Sequence, residues 1–175
     1  MKILAISGSL RASSSNTAIL MAVRELAPSS SEIKLFDGLD LLPHFNPDRE
    51  TESIPSLEYF REEIKKCDAV LICSPEYAHG IPGTLKNALD WVVGSGELIG
   101  KPIGIINATP MYEGRNFAQE SLVEILQTMS AVVLPENTLA ITKVKSKLDS
   151  DGKVIDLKLA QELTNLIISL IKLVK

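Results

Sequence analysis

Five short apolar runs, each followed by a longer segment of helical period, constrain this chain more than any other feature. The runs fall at 3–6, 32–36, 69–73 and 103–108, with a fifth over 131–134 and 138–141 that is interrupted at Pro135. After them apolar residues recur at helical spacing: Ile19, Leu20, Val23 and Leu26; then Leu57, Phe60, Ile64 and Cys67; then Leu85, Ala88, Leu89 and Val92; then Ala118, Leu122, Ile125, Leu126 and Met129. A last helix is expected from about Ile155 onward. Short continuous apolar runs suit strands buried on both faces, and parallel neighbours require crossover helices. The pattern predicts an α/β chain, a three-layer α/β/α sandwich around a five-stranded parallel sheet. Only 37–54, with Pro43 and Pro47, and the polar turn 145–153 exceed short-loop length. Without repeat, low-complexity tract or linker, 1–175 reads as a single domain.

The 175 residues are 45% hydrophobic, enough for a sizeable core, which excludes wholesale disorder and a disulfide-stapled miniprotein. A formal net charge of −4 with no basic cluster argues against a nucleic-acid partner. Cys67 and Cys73 form no CxxC, and with only His44 and His79 besides, a metal site is not expected. The apolar stretch at 157–175 is interrupted by Lys158, Gln161, Glu162, Asn165 and Lys172, so it is expected to lie on the protein and not in a membrane. Met1 leads straight into the first strand without a charged signal-type segment, and the expected location is cytoplasmic.

In open parallel sheets ligands bind beyond the carboxyl ends of the strands, which directs attention to 7–16, 37–54, 74–83 and 107–116. The first holds GSLRASSSN at 8–16: four serines, Arg11 and Asn16 between strand one and helix one, with Thr17 next. Small hydroxyls, a cation and the unpaired N–H groups of a helix start suit a phosphate. One serine would be enough for a helix cap. The glycines of GxGxxG and of the P-loop are missing, so a dinucleotide Rossmann site and an ATPase are disfavoured. The second segment, SPEYAHGIPGTLKNALDW at 74–91, is stiffened by Pro75 and Pro82 and opened by Gly80 and Gly83, suiting close approach of backbone to a flat heterocycle. Tyr77 and His79 flank it, Trp91 and Leu89 are expected in the core, and Lys86 and Asp90 form a surface pair. There is no GxSxG elbow and no partner for Glu76 as a base; no catalytic protein group is expected, and a cofactor would carry the chemistry.

GSLRxxSxN after strand one and PEYxxxIPGxLKNxLDW after strand three resemble the NADPH-dependent FMN reductase family, the flavodoxin-like group that includes quinone, chromate and azo-dye reductases. LPHFNPD at 42–48 is similar to that family's Leu-Pro segment after strand two, and the likeness runs from Met1 to about Pro135. The resemblance implies a flavodoxin-like fold with strand order 2-1-3-4-5. It also implies FMN as cofactor and NADPH or NADH as electron donor. Hydride passes to FMN and electrons then pass to a small-molecule acceptor such as a quinone, flavin, azo compound or metal oxyanion, in a ping-pong cycle. A homodimer or homotetramer is implied as well. Carried over by position, Ser9, Arg11, Ser14, Ser15 and Asn16 match phosphate-holding residues, with Thr17 beside them. Pro75, Glu76, Tyr77, His79 and Gly80 match the loop along the isoalloxazine, which Thr109 and Pro110 border on the other side. NATPMYEGR at 107–115 departs from the Ser/Gly-rich loop of many relatives, and its bulk bears on the second-substrate pocket. Two alternatives stay open: a flavodoxin-like electron carrier without NAD(P)H activity, and a family member that binds no flavin.

Overall fold

Along β1 (Lys2–Ser7) Leu4 and Ile6 pack to one side and Ile3 and Ala5 to the other, so the strand is buried on both faces. This is why it reads as an unbroken apolar run. The computed structural model describes residues 1–110 and 116–174. In chain order the elements are β1, α1 (Ser15–Leu26), β2 (Glu32–Leu35), α2 (Pro55–Lys66), β3 (Ala69–Ser74), α3 (Gly83–Val93), β4 (Ile103–Ala108), α4 (Phe117–Thr128), β5 (Thr138–Ile141) and α5 (Leu157–Leu173). All sheet pairs are parallel, in the order β2-β1-β3-β4-β5, the flavodoxin-like arrangement. β3 and β4 run through the middle and every residue of both is buried.

The two faces carry separate cores. Leu57, Phe60 and Ile64 of α2, Leu85, Ala88 and Trp91 of α3, and Leu122 and Leu126 of α4 pack on one side. Ile19, Leu20 and Val23 of α1 and Leu159, Leu163, Leu166, Ile167 and Leu170 of α5 pack on the other. Gly104, in the middle of β4, lets α5 lie this close: a Cβ there would meet Leu71 at 2.9 Å and Leu166 and Leu170 at 3.4 Å.

Local chemistry sets the boundaries. Asp156 caps α5 by accepting from the Leu159 N–H at 2.8 Å, so the helix starts at Leu157 and not at Ile155. The expected fifth strand is half as long as its apolar residues suggest. Val132 forms only an isolated bridge to Pro102. Pro135, which has no N–H and a fixed φ, then opens a helical turn at Pro135–Asn137, and pairing resumes at Thr138. The long stretch 37–54 is pinned over α3. The Pro43 carbonyl accepts from Asn87 Nδ2 (2.9 Å) and Trp91 Nε1 (2.8 Å), while the Phe45 N–H donates to Asn87 Oδ1 (2.8 Å). Phe45 meets the Trp91 ring edge-on. No helix among the described residues is long and apolar enough to cross a membrane.

Candidate functional site

The tails of β1, β3, β4 and β5 converge at the carboxyl edge of the sheet around a cleft of about 180 Å³. Ser9, Arg11, Ser14, Ser15, Asn16, Pro75, Glu76, Tyr77, Thr109 and Pro110 all line it, so ten positions singled out in the sequence come together. Thr17, His79 and Gly80 do not line it. Two open grooves adjoin. One of about 510 Å³ shares Arg11 and Tyr77 with the cleft and adds Gly8, Leu10, Pro82, Gly83 and Thr84. With it the cleft reaches the volume ordinary for small-molecule sites. The other, about 400 Å³, shares Ser14, Ser15 and Lys145 and continues past Ser13 to Asp149 and Asp151. A further cleft beside Lys2, Lys34 and Cys67 lies at the amino end of the strands, away from these loops.

Gly8 makes the crossing of two strand tails possible. Its N–H donates to the Cys73 carbonyl at 2.8 Å, and a Cβ on it would come within 2.7 Å of Ser74 Oγ. The Ser7 hydroxyl bonds to Thr17 Oγ1 at 2.9 Å, joining the end of β1 to the first turn of α1. Ser14 is the helix cap, accepting from the Thr17 N–H at 3.3 Å. Asn16 is buried and its amide faces inward: Nδ2 donates to the Ala108 carbonyl (3.4 Å) and Oδ1 accepts from the Cys73 thiol (3.3 Å). Burial alone pushes the Cys73 thiol well above its ordinary value, so it remains a donor. Ser9, Arg11, Ser14, Ser15 and Asn16 all line the cleft, and some of them also brace the loop: Ser9 Oγ accepts from the Arg11 N–H at 3.4 Å, and Ser14 and Asn16, with Thr17 outside the lining, make the bonds above. The first N–H groups of α1, those of Ser15 and Asn16, have no intrahelical partner.

On the far side, Pro75 follows a buried Ser74 whose carbonyl accepts from Asn107 Nδ2 at 2.9 Å, tying the β3 tail to β4. Tyr77 and Gly80 exchange both backbone hydrogen bonds across a two-residue turn, with Ala78 and His79 at φ of 49° and 60°. Left-handed backbone at a residue with a Cβ costs about 1–2 kcal/mol, strain of the kind found beside ligand sites. The same turn brings His79 Nδ1 to 3.4 Å from Glu76 Oε1, a partner the sequence reading did not find for Glu76. Glu76 Oε2 accepts from the Ala118 N–H at the start of α4 (3.0 Å), and His79 packs edge-on against Phe117. Glu76 and His79 therefore join the β3 loop to α4, with the imidazole largely exposed.

Residues 37–54 contribute nothing to the cleft lining, and Arg49 pairs with Glu52 at 2.8 Å as a surface arginine. Lys86 and Asp90 form the expected surface pair, and Trp91 is fully buried. The segment 107–115, whose bulk is expected to bear on the second-substrate pocket, lies outside the described residues over 111–115. Sequence reasoning missed Ala108, Val144 and Lys145 in the lining. The strand-end rule that led to the other tails also applies to β5, and following it there would have found the last two.

The sequence model of the family described as NADPH-dependent FMN reductase matches residues 1–146. An NAD(P)H-dependent FMN reductase of Pseudomonas aeruginosa is 36% identical over 165 residues, covering 93% of this chain and 88% of the relative. A quinone reductase of Pseudomonas putida is 35% identical over 153 residues, 85% of this chain and 82% of its own. Among solved structures, the flavoenzyme NAD(P)H:(acceptor) oxidoreductase FerB from Paracoccus denitrificans superposes with a TM-score of 0.84 at 28% identity, covering 99% of this chain and 96% of its own.

Proposed function

The chain belongs to the NADPH-dependent FMN reductase family, and from that premise we propose that the cleft above β1, β3 and β4 holds FMN. The protein is an FMN-dependent NAD(P)H oxidoreductase. One observation carries the assignment of the cleft: a hydroxyl-rich helix start and a proline-stiffened loop, far apart in sequence, line one cavity. The donor set fits a flavin mononucleotide. Ser9, Ser15, Arg11 and the first N–H groups of α1 offer hydrogen bonds and positive potential to a phosphate. Pro75 and Tyr77, with Thr109 and Pro110 opposite, offer neutral surface to a flat ring.

Bound FMN supplies two-electron chemistry, accepting hydride from NAD(P)H and delivering electrons to a second acceptor. The chain's own residues position and enclose. Ser14, Asn16 and Thr17 hold the phosphate loop in shape, and Glu76 fixes the ring-side loop to α4. The Glu76 carboxylate is already bonded to Ala118 and faces His79, so this reading needs no general acid or base from the protein. A quinone-type or flavin acceptor is the class its relatives' names carry. Assembly as a homodimer or homotetramer belongs to the same reading, and the exposed Leu10 and Tyr77 beside the cleft are the surface a second copy would cover. A cytoplasmic location belongs to the same reading.

The test is the visible spectrum of the purified protein under anaerobic NADPH and then NADH. The expected result is a yellow protein that releases FMN on denaturation, is bleached by a nicotinamide donor and regains colour with a quinone. Colour that neither donor bleaches would convert the reading to an electron carrier. A colourless protein that takes up no added FMN would refute the assignment of the cleft.

A further inference from the structure

We infer that Lys145, on the turn after β5, is a second cation for the phosphate of the bound flavin and sets the preference for FMN over unphosphorylated riboflavin. The inference rests on the reading of the cleft as the FMN site. Among the described lining residues only Arg11, Glu76 and Lys145 carry charge. Glu76 sits with Pro75 and Tyr77 and is bonded to the Ala118 N–H. Arg11 and Lys145 come from two other tails, those of β1 and β5, and Lys145 shares both the cleft and the adjoining groove with Ser14 and Ser15. The cleft is thereby polarised, with cations by the serine loop and a compensated carboxylate by the ring-side loop.

Lys145 is held there by the fold. The Thr109 N–H donates to the Ile141 carbonyl at 2.9 Å and the Val144 N–H donates to the Thr109 carbonyl at 3.1 Å, so the β5 tail follows the β4 tail beyond the sheet. Lys143 turns the chain through left-handed backbone at φ 52°, and Val144 is fully buried beneath. The next residue emerges at the cleft rim. Lys145 itself is exposed and has no ion-pair partner among the described residues, although Asp149 and Asp151 line the adjoining groove.

The serine loop at 8–16 contains Arg11 and no lysine. A phosphate monoester carries about −1.5 to −2 charges at pH 7, and a helix start contributes roughly half a positive charge. One guanidinium with one helix start leaves part of that charge uncompensated, and the Lys145 ammonium completes it as a point-charge phosphate ligand. Riboflavin lacks the phosphate and gains nothing from Lys145.

The full-length protein, freed of flavin, is titrated with FMN and separately with riboflavin, following quenching of flavin fluorescence. Wild type is compared with Lys145→Gln and with Lys147→Gln, a lysine of the same turn outside the cleft lining. Lys145→Gln is expected to raise the FMN Kd about tenfold, as loss of one charge-assisted contact does. The riboflavin Kd stays unchanged, the salt dependence of FMN binding becomes shallower, and Lys147→Gln matches wild type. Wild-type preference for FMN that survives Lys145→Gln would overturn the inference and leave the cleft assignment standing. An equal rise in both Kd values would also overturn it, by assigning Lys145 a structural role. A wild-type protein that binds neither flavin would remove the cleft assignment and this inference together.

Discussion

Asn16 and Cys73 meet where the phosphate loop joins the sheet, the amide oxygen 3.3 Å from the thiol, with the second amide bond reaching Ala108 on β4. A serine-rich motif read letter by letter does not show these two bonds, because sequence does not record which way a side chain turns at the first step of a helix. Burial of Cys73 has a measurable consequence. Its folded-state pKa is raised above the ordinary 9.0, so above that pH the unfolded chain releases a proton that the folded protein keeps. Stability from this group is complete below pH 9 and falls as pH rises beyond it, by up to about 1.4 kcal/mol per pH unit. Urea unfolding at pH 7.5 and pH 10 should therefore show a larger loss for wild type than for Cys73→Ala, by roughly 1 kcal/mol. Equal losses would mean that the thiol ionises in place without penalty. The other cysteine, also raised by burial, is common to both proteins and drops out of the comparison.

At the scale of elements, the sequence LKNALDW on α3 does more than pack. Asn87 and Trp91 lie one helical turn apart, on the side where 37–54 crosses, and both donate to the Pro43 carbonyl. Asn87→Ala removes two hydrogen bonds and leaves the Phe45 N–H without its acceptor, a loss of about 1–3 kcal/mol. The expected outcome is a lower urea midpoint with faster amide exchange across 39–49, and unchanged FMN affinity, because no residue of that stretch lines the cleft. A change confined to FMN affinity would give Asn87 a different role. The apolar pattern made all ten elements legible, because strands buried on both faces leave short continuous apolar runs and amphipathic helices leave a repeat at helical spacing. It overestimated β5, where Pro135 ends the pairing of residues that are otherwise good strand formers.

At the scale of the whole molecule, the family match ends at residue 146, yet the core does not. Leu159, Leu163, Leu166, Ile167 and Leu170 of α5 cover the sheet face that Gly104 opens. Removing them exposes apolar surface worth on the order of 10 kcal/mol. That is comparable with the entire stability of a domain this size. A chain ending at Ser146 is expected to show no cooperative thermal transition by near-UV circular dichroism; a cooperative melt would mean that α5 is dispensable to the fold. The order of apolar runs, the two loop motifs and the absence of a nucleotide-type glycine loop are local properties, written in neighbouring residues, and the sequence alone determined fold class, cofactor class and most of the cleft. Tertiary structure alone decided which loop side chains also brace the loop, that Glu76 meets both His79 and the start of α4, and that Lys145, on the turn after β5, joins serines more than a hundred residues away. Those outcomes depend on side-chain direction and on contacts between distant segments, and local pattern carries neither.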